Sequence, residues 1–109
     1  MSTIRRFDPN TVELTEAPRE DSNAPVYSNR LYANDTETQF HGIWKAEPGV
    51  HANLPGQETV VILAGRATVT GQNGDSIDVA AGDLVFVDAG EVATWTVHET
   101  LRKVFVINK

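Results

Sequence analysis

From Val26 onward the chain is a series of short β-type runs, each closed by turn-forming residues: VYSNRLYA, TQFHGIWKA, ETVVILA, RATVT, SIDVA, DLVFV, VATWTVH and LRKVFVI. No segment carries a sustained helical period, and no internal repeat is visible. Spacing this regular points to an all-β sandwich or barrel. The turns have their own chemistry. Asn73-Gly74 within GQNGDS suits a tight hairpin that needs positive φ, and AAGD and DAGE supply Gly82 and Gly90. A chain of 109 residues is long enough for one domain, in which roughly two thirds of the unfolded surface is buried on folding.

Residues 1–25 differ from the rest. TEAPREDSNAP mixes Pro, Ser, Asn and acids with no apolar period, so this segment reads as an extended arm ahead of a single domain spanning 26–109. Disorder is the plain expectation for such an arm. The alternative is that Val12 and Leu14 tie it down as an edge strand or on a neighbouring subunit.

Alternation adds a constraint on partners. In ETVVILA one face carries Glu58, Val60 and Ile62 and the other Thr59, Val61 and Leu63; in DLVFV, Leu84 and Phe86 oppose Val85 and Val87. Strands apolar on both faces need a covering layer outside the barrel wall: a second sheet, the arm, or another subunit. A homodimer is expected. The 15 acidic and 9 basic residues give a net charge of -6, with the basic ones scattered apart from Arg5-Arg6 and Arg102-Lys103, so nucleic acid is not an expected partner. No apolar run approaches the roughly 20 residues of a membrane span, and MSTIRRFDPN turns polar at once, so a cytoplasmic protein without a membrane partner is expected. The chain has no cysteine, which leaves only nitrogen and oxygen donors for any metal.

The stretch HANLPGQETVVILAG places His51, Asn53, Glu58 and Gly65 in order, and Gly82, Asp88, Gly90 and Ala93 follow. Together with GIWKAEPG, AGDLVFVDAG and TWTVHETLRKVFVI, this resembles the cupin superfamily, whose small jelly-roll barrel (the RmlC-like fold) carries two motifs separated by a hairpin. Residues 38–107 are similar to the small single-domain cupins related to the ureidoglycine aminohydrolase and ethanolamine-utilisation cupins. The resemblance implies a barrel with a pocket and, in many relatives, a metal. His51 takes the first histidine position of the first motif, Asn53 the second, and Glu58 the glutamate. In the second motif, Asp88 stands at the proline and Ala93 at the histidine. A divalent metal on His51, Asn53 and Glu58 is therefore the alternative to a polar pocket with no favoured cofactor, because Ala93 removes the fourth ligand and Asn is a poor donor for transition metals.

Glu58 stands between apolar neighbours on an inward face and needs a cation, a donor or a proton. Lys103, on the face of the last run shared with Phe105 and Ile107, is the expected partner. The two read either as an ion pair that fixes the barrel or as catalytic residues, Glu58 the acid or base and Lys103 the stabiliser of an anionic group. Trp95 shares a face with Ala93 and Val97 and reads as core or as a stacking wall beside His51 and Asn53. Trp44 reads as core. His41 and His98, the latter placed in a turn at HETLR, read as structural or solvated. GQNG lacks the context of a phosphate loop, and Ser76 in GDS lacks that of a nucleophile elbow. Three functions follow: a small-molecule binding protein without a complete metal site; an enzyme on a small nitrogenous or carbonyl compound, metal-dependent or Glu58-dependent; and an oligomerising module with a vestigial pocket.

Overall fold

The structure is a computed structural model that describes residues 3–109, with Pro55 described by its backbone alone; Met1 and Ser2 of the expected arm lie outside the described residues. Eight strands follow in chain order: β1 (Thr15–Glu16), β2 (Val26–Ala33), β3 (Gln39–Ala46), β4 (Gly49–Pro55), β5 (Gln57–Thr70), β6 (Ser76–Ala80), β7 (Leu84–Val87) and β8 (Val92–Asn108). Every pairing between them is antiparallel.

The frame is made by β5 and β8, of 14 and 17 residues, which lie side by side along almost their whole length. Each is shared by two sheets. The first half of β5 and the last half of β8 belong to the sheet β1-β2-β3-β8-β5-β7, and the remaining halves join β4 and β6 in the second. The two sheets enclose one apolar core that includes Val60, Ile62, Val69, Val85, Trp95 and Leu101. This is the jelly-roll barrel expected from the sequence.

The crossing between sheets has a specific cause. On β5 the inward residues are Glu58, Val60 and Ile62 before Gly65 but Ala67 and Val69 after it, so the inward parity changes from even to odd. Register shifts against β8 between Ile62 and Ala67 produce that change. Gly65 has φ +89, and a Cβ there would collide with the carbonyl oxygen of Thr100. Only glycine meets both conditions at this corner. ETVVILA and RATVT are thus one bulged strand, and VATWTVH and LRKVFVI are likewise one, so His98 lies within β8 and not in a turn. GVHANLP, absent from the expected runs, forms β4.

The described part of the arm is ordered, contrary to the plain expectation. Residues 15 and 16 pair with β2, Ser22 bridges to His51, and Ala52 N–H donates to the carbonyl of Asp21. Earlier in the arm, Arg102 donates to the carbonyls of Pro9 and Val12, and the Asn29 amide to that of Glu13. Asn29 lies across from Ile43, so this part of the arm runs over the outer face of the first sheet, where Ile43 is buried. Beyond the arm the same face is bare: Val61, Leu84 and Phe86 are 40%, 60% and 67% exposed.

Candidate functional site

Strand parity brings the chemistry together. Lys103 lies between Trp44 on β3 and Ile62 on β5 in register, and all point into the barrel. Its side chain is 2% exposed, and the ammonium donates to Glu58 Oε1 at 2.9 Å. Two indole faces close over it, with the ring centres of Trp95 and Trp44 at 4.0 and 4.6 Å from Nζ. Charge on nitrogen is therefore met by one carboxylate and two π faces. Burial pulls the Lys103 amine below the ordinary lysine value of 10.5; Glu58 opposes that shift and the Arg19 guanidinium adds to it.

Above this pair lies a cavity of about 320 Å³. Glu58 and Lys103 form its polar floor, and Trp44, Leu54, Phe105 and Ile107 are its apolar walls. The rim is built by residues the sequence reading passed over: Pro18 and Arg19 from the arm, Arg30 from β2, and Lys109. Trp44 likewise serves as a wall as well as a core residue. Arg30 follows Val26 and Ser28 in the inward alternation of β2, which is the one signal that could have found it. Arg19 reaches the cavity only because the arm folds back, which no local pattern announces.

His51 sits beside the cavity and not in its lining. It is fully buried, edge-on to Trp44 with ring centres 5.5 Å apart. Nε2–H donates to the carbonyl of Glu47 at 2.9 Å, so Nδ1 is left to accept from the Ser22 hydroxyl, also at 2.9 Å. Arg19 donates to the same hydroxyl oxygen at 3.0 Å and to the carbonyl of Ala52. In the neutral imidazole this places the proton on Nε2, and burial lowers its pKa from 6.5, with the Glu47 carbonyl opposing and the Arg19 and Lys103 charges reinforcing.

Asn53 does not share an inward face with His51. Register shifts between His51 and Leu54, and Asn53 takes φ 58, a left-handed conformation that Asn tolerates. The bulge turns Asn53 out to solvent and gives its inward place to Leu54, which faces buried Ala93. Trp95 is buried opposite His51, and its indole N–H has no hydrogen-bond partner among the described residues. His41 Nε2–H donates to Gln39 Oε1 and its ring packs edge-on to Tyr32, and exposed His98 meets the Thr68 hydroxyl, which itself donates to Asp78.

These residues do not fit a metal. Both nitrogens of His51 are engaged, Asn53 points away, Glu58 is held by an ammonium, and Ala93 has no donor atom. Among the described residues no three His, Asp or Glu side chains converge on one point. A cation beside Lys103 would meet like charge where cupin ligands would gather.

The fold has many counterparts among solved structures. The EutQ protein of Clostridium difficile superposes with a TM-score of 0.78 at 16% identity, covering 94% of this chain and 85% of that one. A protein of unknown function of the DUF861 family from Pseudomonas syringae pv. tomato gives 0.78 at 26% identity; the match covers 94% of this chain but 46% of that longer one. Ectoine synthase from P. lautus gives 0.73 at 16% identity, with 97% and 78% covered. Comparison with curated proteins finds no match. Residues 33–105 match the EutQ-like cupin domain, and the chain belongs to that family.

Proposed function

We propose that this cupin binds a small molecule in the barrel cavity, over the Glu58–Lys103 floor, without a transition metal. The single observation that carries the reading is the ammonium of Lys103, on a side chain 2% exposed, as part of the lining of a largely apolar cavity of about 320 Å³. A buried ion pair is a poor device for stability, since hydrophobic residues of similar volume serve as well or better. Polar groups converging in an apolar pocket are the ordinary form of a ligand site. The cavity is open and partly polar, which speaks against a vestigial pocket.

Binding of small-molecule fragments to wild type, Glu58→Gln and Lys103→Met, each checked for folding by circular dichroism, tests the reading. Loss of binding by about ten-fold or more in both variants is expected, the scale of a lost charge-assisted hydrogen bond. The double variant Glu58→Leu/Lys103→Met removes the polar floor without leaving a lone charge, and keeps the test available where a single variant fails to fold. Variants that fold and bind the same ligand as wild type would sink the proposal.

A second reading is an enzyme on a small nitrogenous or carbonyl compound, favoured by the depressed pKa of Lys103 beside Glu58. In it, Glu58 moves a proton while Lys103 holds developing negative charge. Turnover lost in Glu58→Gln with ligand binding retained would support it. The donor set described above argues against a metal-dependent version. The bare outer face at Val61, Leu84 and Phe86 supports a homodimer as part of the same proposal, and a cytoplasmic setting is carried by the sequence alone.

A further inference from the structure

We infer that the ligand of this cavity is a short organic carboxylate, its anionic end at the Arg19–Arg30 rim and an O–H or N–H donor at its far end on Glu58. The inference rests on the cavity being a binding site and assigns the ligand class. Four cations, Arg19, Arg30, Lys103 and Lys109, and one carboxylate, Glu58, line the cavity of a chain that carries 15 acidic and 9 basic residues. The positive charge is thus concentrated against the balance of the whole chain.

Lys103 is neutralised by Glu58. The rim cations are not. Arg19 is held by neutral acceptors, the Ser22 hydroxyl and the carbonyl of Ala52, so it is fixed in place with its charge unopposed. The Arg30 guanidinium lies 4.0 Å from the centre of the Phe40 ring and, among the described residues, has no hydrogen bond or ion pair. Stacking on a ring face leaves the planar edge of a guanidinium free to donate, and that edge matches a carboxylate. Lys109 lies 5.2 Å from the same ring and adds to the field.

The walls decide between an organic acid and a bare inorganic anion. Leu54, Phe105, Ile107 and Trp44 line the same cavity and offer apolar contact to a carbon skeleton, which phosphate and sulfate do not have. At the floor, Lys103 uses Oε1 of Glu58, and Oε2 has no partner among the described residues. A carboxylate oxygen in that position accepts, so the far end of the ligand donates.

The two indole N–H signals of Trp44 and Trp95 report binding in ¹H–¹⁵N spectra at low ionic strength. The probes are 4-hydroxybenzoate and 4-hydroxybutanoate, their amides, the corresponding primary amines, 4-methylbenzoate, and inorganic phosphate. The acids are expected to move both indole signals at concentrations about ten-fold or more below the amides, and 4-hydroxybenzoate below 4-methylbenzoate. Added salt weakens the acids. Arg30→Met removes the preference for acids, and Arg30→Glu turns it toward the amines; Arg19→Met gives an independent check if changes at Arg30 disturb the Phe40 stack. Amides or amines binding at the indoles as tightly as acids would overturn the carboxylate assignment and leave the cavity reading standing. Phosphate binding as tightly as the acids would overturn it in favour of a phosphoryl compound. No shift with any probe at millimolar concentration contradicts both.

Discussion

Lys103 sets the energetics of the site, because an ammonium between two indole faces with one carboxylate partner depends on that partner. Glu58→Gln leaves the charge buried and uncompensated, and is expected to lower the unfolding free energy by about 3–5 kcal/mol in urea titrations. Glu58→Leu/Lys103→Met, which removes both charges, is expected to fall within about 1 kcal/mol of wild type. A Glu58→Gln variant as stable as wild type would mean that the pair is solvated and not buried. His51 gives a second prediction at this scale. Its pKa is lowered from 6.5 by burial, so between that value and the lower folded-state value the unfolded chain binds the extra proton. Stability supplied by neutral His51 is complete above pH 6.5 and declines as pH falls through that window. Melting temperatures of wild type and His51→Gln measured across the window are expected to show a shallower acid slope in the variant. Glu58 and Lys103 were legible as facing residues because parity along unbroken strand segments is enough to place them. Asn53 was misplaced because one bulged residue reverses parity, and a bulge between His51 and Leu54 leaves no mark beyond Asn itself.

Strands and arm show the same limit at the next scale. The runs were legible, but their continuity across Gly65 was not, because a glycine in a strand pattern reads as readily as a turn as a bulge. Two glycines of similar φ separate these meanings by experiment. Gly74 has φ +91 with nothing within 4 Å of a Cβ, so Gly74→Ala is expected to cost only about 1–2 kcal/mol of backbone strain. Gly65→Ala adds a collision with the Thr100 carbonyl at the corner shared by both sheets, and is expected to cost more than about 3 kcal/mol. Equal effects in thermal melts would contradict the account of the corner. The order of the arm was foreseen only as the alternative to disorder, with an edge strand at Val12 and Leu14 where the structure has one at Thr15–Glu16, because that order comes from partners far away in the chain, Arg102 and His51, and not from any period of its own. Amide exchange at Ala52, whose N–H donates to the arm, is expected to be protected and to lose that protection in Arg19→Ala, where the guanidinium no longer ties arm to strand.

At the scale of the whole molecule, two surfaces remain to be used: the cavity and the bare outer sheet. Val61 and Leu84 are directly paired, and Phe86 pairs with Thr59 beside them, so the exposed side chains form one continuous patch. Phe86→Glu is expected to shift sedimentation from dimer to monomer at micromolar concentration with the fold unchanged, and a wild-type protein that is already monomeric there would remove the homodimer from the account. All-β class and barrel were legible because they follow from alternation repeated over many strands. The cavity rim was not, since it is assembled from arm, β2 and the last residue. The central claim is that the floor made by Glu58 and Lys103 holds a ligand, and both tryptophans of the chain lie against that floor. The most direct measurement is a ¹H–¹⁵N titration of wild type and Glu58→Leu/Lys103→Met with the same small organic acids. The account predicts saturable shifts of both indole signals in wild type, and in the double variant shifts only at concentrations about ten-fold or more higher. Equal shifts in the two proteins, or shifts confined to residues of the outer face, would contradict it.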